Sequence, residues 1–176
     1  MHIENSERLS YHFVTNDDAD FLWEIDQDES VMRYINGGKK TSREDIDNIM
    51  LPRLQAYANF ALGWGIWRVE ELSSGESIGW VLVRPFGFFT NDPQCDNIEL
   101  GWRFKRKSWG NGFATEAAMT VKEALRELGT ETFSAIADPE NTASSAVMKK
   151  LGMEYLYEVD YKDAVYEGKV AVYSTP

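Results

Sequence analysis

The run Arg103-Phe-Lys-Arg-Lys107-Ser-Trp109-Gly-Asn-Gly112-Phe-Ala-Thr-Glu116 carries the residue types and spacing most suited to chemistry. A strand gives way to a basic cluster, a glycine turn and the start of a helix. Backbone N–H groups at such a turn, together with the partial positive charge of a helix N-terminus, make a site for phosphate. Arg103, Lys105, Arg106 and Lys107 add net attraction for an anion. They stand out because the chain as a whole is acidic, with a formal charge of -11 and a sequence pI of about 4.6.

That acidic balance argues against nucleic acid or an anionic membrane as the main partner, since both are bound by Lys and Arg spread over a wide surface. A cationic substrate suits the field better. With 176 residues, 43% of them hydrophobic and 13% aromatic, the chain can bury one sizeable core, and a single domain over residues 1–176 is expected. One cysteine, Cys95, excludes an intrachain disulfide, and His2 and His12 without a cysteine cluster give no basis for a metal site. No apolar run is long enough to span a membrane, and the first residues lack a signal-peptide pattern. A cytoplasmic, reducing setting follows as the expectation.

The elements that must position this run can be read from periodicity. Residues 9–14 form a first strand, and Thr15-Asn-Asp-Asp18 starts a helix with Ala19, Leu22 and Ile25 on one face. Thr41-Ser-Arg-Glu44 has capping-box spacing for a second helix, which Pro52 should end or kink. Residues 62–70 and 77–85 read as a hairpin, and residues 97–105 as the next strand. There Leu100, Trp102 and Phe104 share one face, with Glu99, Gly101 and Arg103 on the other. A helix follows the glycine turn as far as Gly129, then a strand over 132–137, and a helix opened by Asp138-Pro-Glu-Asn141 that closes at Gly152. Two β segments, 154–160 and 164–174, complete an α/β order with a mixed sheet. Exposed β segments near the C-terminus leave room for a homodimer.

Two common nucleotide motifs fail on this turn. The dinucleotide fingerprint needs a third glycine and an early βαβ unit, whereas Ala114 follows Gly112. The P-loop needs Gly-Lys-Ser/Thr, and here Gly112 precedes Phe113 and Ala114.

Trp109-Gly-Asn-Gly112-Phe-Ala114 resembles the acyl-CoA loop of the GNAT superfamily of N-acetyltransferases, whose pattern is Arg/Gln-x-x-Gly-x-Gly/Ala, with Trp109 in place of the usual first residue. That replacement, and the continuation Ala-Thr-Glu-Ala, look like the RimJ/RimL-like subgroup of ribosomal-protein N-terminal acetyltransferases. Downstream, Asn141-Thr-Ala-Ser144 and Lys150-Leu-Gly152-Met resemble the same subgroup's Asn-x-x-Ser and Lys-Leu-Gly signature. The resemblance spans nearly the whole chain and is most specific over residues 97–153.

The resemblance implies a mixed, mostly antiparallel sheet of about seven strands splayed between the fourth and fifth and flanked by about four helices. It implies acetyl-CoA in that splay, with the pantetheine arm on backbone near Trp102, Arg103 and Phe104. The pyrophosphate would rest on the N–H groups of Trp109, Gly110, Asn111, Gly112, Phe113 and Ala114, with Thr115 next on the helix. Lys105, Arg106 and Lys107 could meet a phosphate or could be a solvated basic loop. Asn141 would hydrogen-bond the pantetheine arm, cap its helix, or both. The acceptor would be a primary amine on a small molecule or a protein N-terminus, attacking the thioester directly without a metal.

An amine must lose a proton to attack, and a carboxylate in reach can take it. Glu99 is the first candidate base, with Glu154 and Glu158 as alternatives. The position where many members of the superfamily hold a proton-donating tyrosine is Met148, so Ser144, with Ser145 as neighbour, becomes the candidate acid for the leaving thiolate. Met148 also leaves open a non-catalytic acyl-CoA-binding module. No tryptophan is assigned a role.

Overall fold

The alternation expected for residues 97–105 belongs to a longer strand, β4 (Gln94–Phe104), which pairs antiparallel with β3 (Glu76–Phe86) from Phe104↔Gly79 to Ile98↔Pro85 without a slip. Leu100 and Phe104 therefore enter one core, whereas Glu99 and Arg103 point to the other side. The computed structural model describes residues Met1–Pro176. Its remaining strands are β1 (Leu9–Phe13), β2 (Gly65–Glu71), β5 (Thr132–Ala137), β6 (Glu154–Lys162) and β7 (Glu167–Ser174). All seven join one mixed sheet in the order β1-β2-β3-β4-β5-β7-β6, in which only β4 and β5 run parallel. The parallel pair needs a crossover, and the helix after the glycine turn supplies it.

Five helical runs flank the sheet: α1 (Ala19–Ile25), α2 (Glu29–Asn36), α3 over 43–57, α4 (Phe113–Glu127) and α5 (Thr142–Lys150). α4 lays Ala117, Ala118, Val121 and Leu125, all fully buried, against Leu100, Phe133 and Met148 in the larger core. α1 and α3 cover the other face through Leu22, Ile25, Ile46, Leu54 and Tyr57, packed with Ile66 and Trp80. No helix is long and apolar enough to cross a membrane.

Three local expectations change. α2 adds to the expected helices; it is short and buries only Val31 and Met32, so its apolar stripe is thin, although the Asp28 cap and left-handed Gly37 mark its ends. The helix at residue 43 is capped by Ser42, whose Oγ accepts from Asp45 N–H at 3.0 Å, one residue later than Thr41. Thr41 Oγ1 donates instead to Asp26 at 2.7 Å. Pro52 does not end α3, which runs on to Tyr57. The preceding turn, Ile46–Met50, opens into a π segment with Leu51 N–H bonded to the Ile46 carbonyl. This wider turn relieves the clash between a proline ring and the carbonyl four residues back.

Asp26, 2% exposed in its side chain, meets Arg103 Nη1 at 2.5 Å across the sheet face, tying α1 to β4. Removing one partner of a buried pair leaves the other charge unpaired. Asp26→Ala should therefore cost about 3–5 kcal/mol in equilibrium denaturation, the range for a broken buried pair; a loss below about 1 kcal/mol would mean that Arg103 is solvated without it.

Candidate active site

β4 and β5 pair only over Asn97–Glu99 against Thr132–Ser134. Beyond that the strands diverge and the ladder is lost. Lys105 N–H bonds the Ile78 carbonyl at 2.8 Å, which sets the alternation along β4: Gly101 and Arg103 spend their backbone groups on β3, whereas Trp102 turns its N–H and C=O into the gap. The Phe104 carbonyl, on the same side, accepts from Trp109 Nε1 at 2.8 Å. A cavity of about 530 Å³ follows the gap from the glycine turn to a group of charged and aromatic side chains around Glu99.

At the turn, the backbone N–H groups of residues 110–115 bond to no backbone or side-chain acceptor, and α4 has no side-chain cap. Gly110 and Gly112 hold φ of +76° and +79°, a conformation that favours glycine, and a Cβ at Gly110 would meet nothing within 4 Å. Six successive free donors at a helix N-terminus fit a pyrophosphate, and so does Ser108, whose buried Oγ lines the cavity without a partner. The free run begins one residue later than expected, because Trp109 N–H is spent on the Arg106 carbonyl. Asn111 and Lys107 do not line the cavity. Asn111 Nδ2 bonds the carbonyls of Ser108 and Trp109 and so tightens the turn.

The basic cluster is not open. Arg103 pairs with Asp26, Lys105 with Glu24 at 2.8 Å, Arg106 with Asp28 at 2.8 Å and Lys107 with Glu76 at 2.5 Å. The expected surplus of positive charge is thus balanced by acids from α1 and its following turn and from β3. A clamp that local sequence did not reveal holds the turn from behind. Arg8 donates through Nη1 to the Asn111 carbonyl at 3.0 Å and through Nε to Glu116 at 2.7 Å, and its guanidinium carbon lies 4.4 Å from the centre of the Phe113 ring. Ser6 Oγ and Arg8 N–H also donate to Glu116. Burial alone would raise the Glu116 carboxyl, but the bonds from Ser6 and Arg8 outweigh it and hold it below the usual range.

On the far wall, Asn141 caps α5, its Oδ1 accepting from Ser144 N–H at 3.2 Å, and both residues line the cavity. Ser145 donates to the Thr142 carbonyl and does not line it. Met148 is 1% exposed and belongs to the core. Glu154 and Glu158 lie exposed on β6, away from the cavity wall.

Glu99 is buried at the inner end, and each of its oxygens accepts from Arg84, at 3.0 Å from Nε and 2.8 Å from Nη2. A carboxylate offers about four lone-pair sites, so two remain. Around it stand groups not foreseen from sequence: Tyr57, Phe89, and Arg53 paired with Asp163 at 2.6 Å. Burial opposes the Arg84 charge, but Glu99 beside it holds the guanidinium above its ordinary range. Burial and then Asp163 push the Tyr161 hydroxyl up to about 12, and burial raises Tyr57 as well. Neither phenol ionises near neutrality.

Residues 8–154 match the acetyltransferase (GNAT) domain. The YkkB protein of Bacillus subtilis is 31% identical over 162 residues, covering 87% of each chain. Among solved structures, a GNAT-family acetyltransferase from Bacillus anthracis superposes with a TM-score of 0.74 at 25% identity, over 99% of this chain and 97% of its own. RimL, a ribosomal L7/L12 alpha-N-protein acetyltransferase solved with coenzyme A, gives 0.70 at 14% identity over 98% and 96%, a likeness of fold.

Two outcomes follow from the turn. Gly112→Ala forces an L-residue into the left-handed region, at a cost of roughly 1–2 kcal/mol, and should weaken coenzyme A binding at least about tenfold by calorimetry; unchanged affinity would remove the turn from the site. Because the folded Glu116 carboxyl titrates below its unfolded value, its bonds stabilise fully above the unfolded carboxylate range near ~4.3 and are lost as pH falls through the lowered folded value. The stability gap between the native chain and Glu116→Gln should therefore shrink on going from pH 7 to pH 3, as read by urea titration.

Proposed function

The chain belongs to the GNAT acetyltransferase family, an acyltransferase that draws its acetyl group from acetyl-CoA, and from that premise we propose that it acetylates a primary amine by direct attack on the thioester. The acceptor is the amine of a small molecule or of a protein N-terminus. The observation that carries the proposal is the run of free N–H groups over residues 110–115 at one end of a cavity that reaches Glu99 at the other. The Trp109 to Ala114 and Asn141 to Ser144 motifs support a RimJ/RimL-like subgroup within the family.

Bound acetyl-CoA supplies an activated acyl thioester. Gly110 to Thr115 hold its pyrophosphate, and Lys107, in an exposed pair with Glu76 that is weak in water, can exchange that partner for a phosphate. Trp102 offers its backbone N–H and C=O to the pantetheine amides, flanked by Arg103 and Phe104, and Asn141 keeps its Nδ2 for the same arm. A backbone N–H in the gap meets the charge that develops on the thioester oxygen. Glu99 takes the amine proton on a lone pair that Arg84 leaves free, directly or through water. Ser144 Oγ, which has no protein partner, gives a proton to the leaving thiolate.

Residues 1–176 would act as one domain in the cytoplasm. The β6 edge, with Tyr155, Leu156 and Tyr157 exposed, is the surface through which two copies would pair.

Labelled acetyl-CoA incubated with a panel of amines should transfer its label; binding without transfer to any amine overturns the reading. Glu99→Gln should lower kcat by about 10²-fold or more, in the range for losing a general base, while coenzyme A affinity stays within threefold. Ser144→Ala should lower kcat by about tenfold in the same label-transfer assay, below that range because a thiolate leaves readily; no loss in either would remove that residue from the chemistry.

A further inference from the structure

Arg53 and Arg84 both converge on the Phe89 ring, their guanidinium carbons 3.7 Å and 5.5 Å from its centre. Each is pinned by one carboxylate. Arg53 gives Nη2 to Asp163, and Arg84 gives Nε and Nη2 to Glu99. Asp163 is itself fixed by Tyr161 Oη at 3.1 Å and by the N–H groups of Val165 and Tyr166. Besides the second N–H of each Nη2, Arg53 Nε and Nη1 and Arg84 Nη1 remain, three donor nitrogens on cavity-lining residues with no protein acceptor, none of them enclosed by protein. Guanidinium edges held in place in this way are suited to a planar carboxylate.

The four fixed charges here, Arg53, Arg84, Glu99 and Asp163, sum to zero. A polycation would find no surplus carboxylate, and a polyanion no surplus cation. A zwitterion adds no net charge. Its ammonium can meet the two free lone pairs of Glu99 while its carboxylate meets the adjacent Arg84 Nη1 and Arg53. Glu99 and Arg84 lie in direct contact, so the two ligand groups must be close together, as on a single carbon. Leu54, Leu82 and Trp80 make the neighbouring wall apolar.

We propose that the acceptor is an amine carrying its own carboxylate, a free amino acid with an apolar side chain, read by the spare N–H groups of Arg53 and Arg84. This rests on the acetyl-transfer reading of the same cavity. It narrows the acceptor to a small molecule, and it reverses the preference for cationic substrates drawn from net charge alone.

The test measures thiol release from acetyl-CoA with L-leucine and L-phenylalanine, their amides, the matching decarboxylated amines, a leucyl dipeptide and spermidine. The free acids should show KM values at least about tenfold below those of the amides and amines, since a site built for a hydrogen-bonding group rejects analogues that lack it. Arg53→Gln should raise KM for the acids by about tenfold or more with kcat nearly unchanged and the amides within twofold, and Arg53→Lys should recover part of the loss. Coenzyme A affinity of each variant reports folding; if Arg53→Gln does not fold, the acid-to-amide ratio of the native chain decides. Equal KM for acids and amides, or better turnover of the dipeptide or spermidine, overturns the proposal. If no amine is acetylated while coenzyme A binds, the acetyl-transfer reading fails by itself, and calorimetric titration of leucine into the coenzyme A complex decides this one: leucine binding without leucinamide binding upholds it, and no binding overturns it.

Discussion

Two parallel strands that stop pairing after three residues leave backbone donors and acceptors unspent, and the site depends on that constraint. Buried backbone groups are nearly always paired, so the unspent N–H and C=O of Trp102 in the gap between β4 and β5 are open to a ligand with amide-like groups in an extended arm, as proposed for acetyl-CoA. The same divergence sets the start of α4 at the mouth of the gap, where its first N–H groups also lack partners. One departure from regular pairing thus produces both the gap and the run of free N–H groups to which the proposed function assigns the arm and its phosphates. Arg8, just ahead of β1, holds the turn in shape by bonding the Asn111 carbonyl while Glu116 on α4 fixes its guanidinium.

The acidic composition has a different meaning in three dimensions from its meaning as a sum. Asp26 is committed to Arg103 near the end of β4, Glu24, Asp28 and Glu76 each to one cation of the loop between β4 and α4, and Glu99 and Asp163 to arginines around the inner cavity. Carboxylates that would have tilted the field towards cations act instead as fixed counter-charges that orient guanidinium and ammonium groups. With the cluster balanced, what the turn offers an anion is its backbone N–H groups, whose direction is set by φ and ψ.

Much of this was legible in sequence because it is local. The glycine turn, the apolar stripe of α4, the Asn141 cap and the two faces of β4 all arise from spacings of a few residues, where sterics and periodicity leave little freedom. The seven strands and their mixed sheet followed from the order of periodic segments, whereas the splay between the fourth and fifth strands came through the resemblance carried by those motifs. Arg8 with Glu116, Arg53 with Asp163 and Arg84 with Glu99 are another matter. The first two join residues 108 and 110 positions apart, and nothing in the neighbourhood of either partner specifies the other. Even the nearer pair depends on the register of β3 against β4, since Arg84 faces Glu99 only once that register is set. The basic cluster was misjudged for the same reason, its partners lying on α1, the turn after it and β3.

The π segment at Ile46–Met50 accommodates Pro52, and it also acts as a phase setter. One extra residue in a single turn advances everything that follows by about 100° around the helix axis relative to an uninterrupted α-helix. Arg53, Leu54 and Tyr57, all cavity-lining, lie just beyond that turn. Which side chains α3 presents to an acceptor is therefore controlled by the length of one turn as much as by the residues themselves. A chain of this fold could change what it recognises by gaining or losing a single residue there, with the sheet, the glycine turn and the arm slot left as they are.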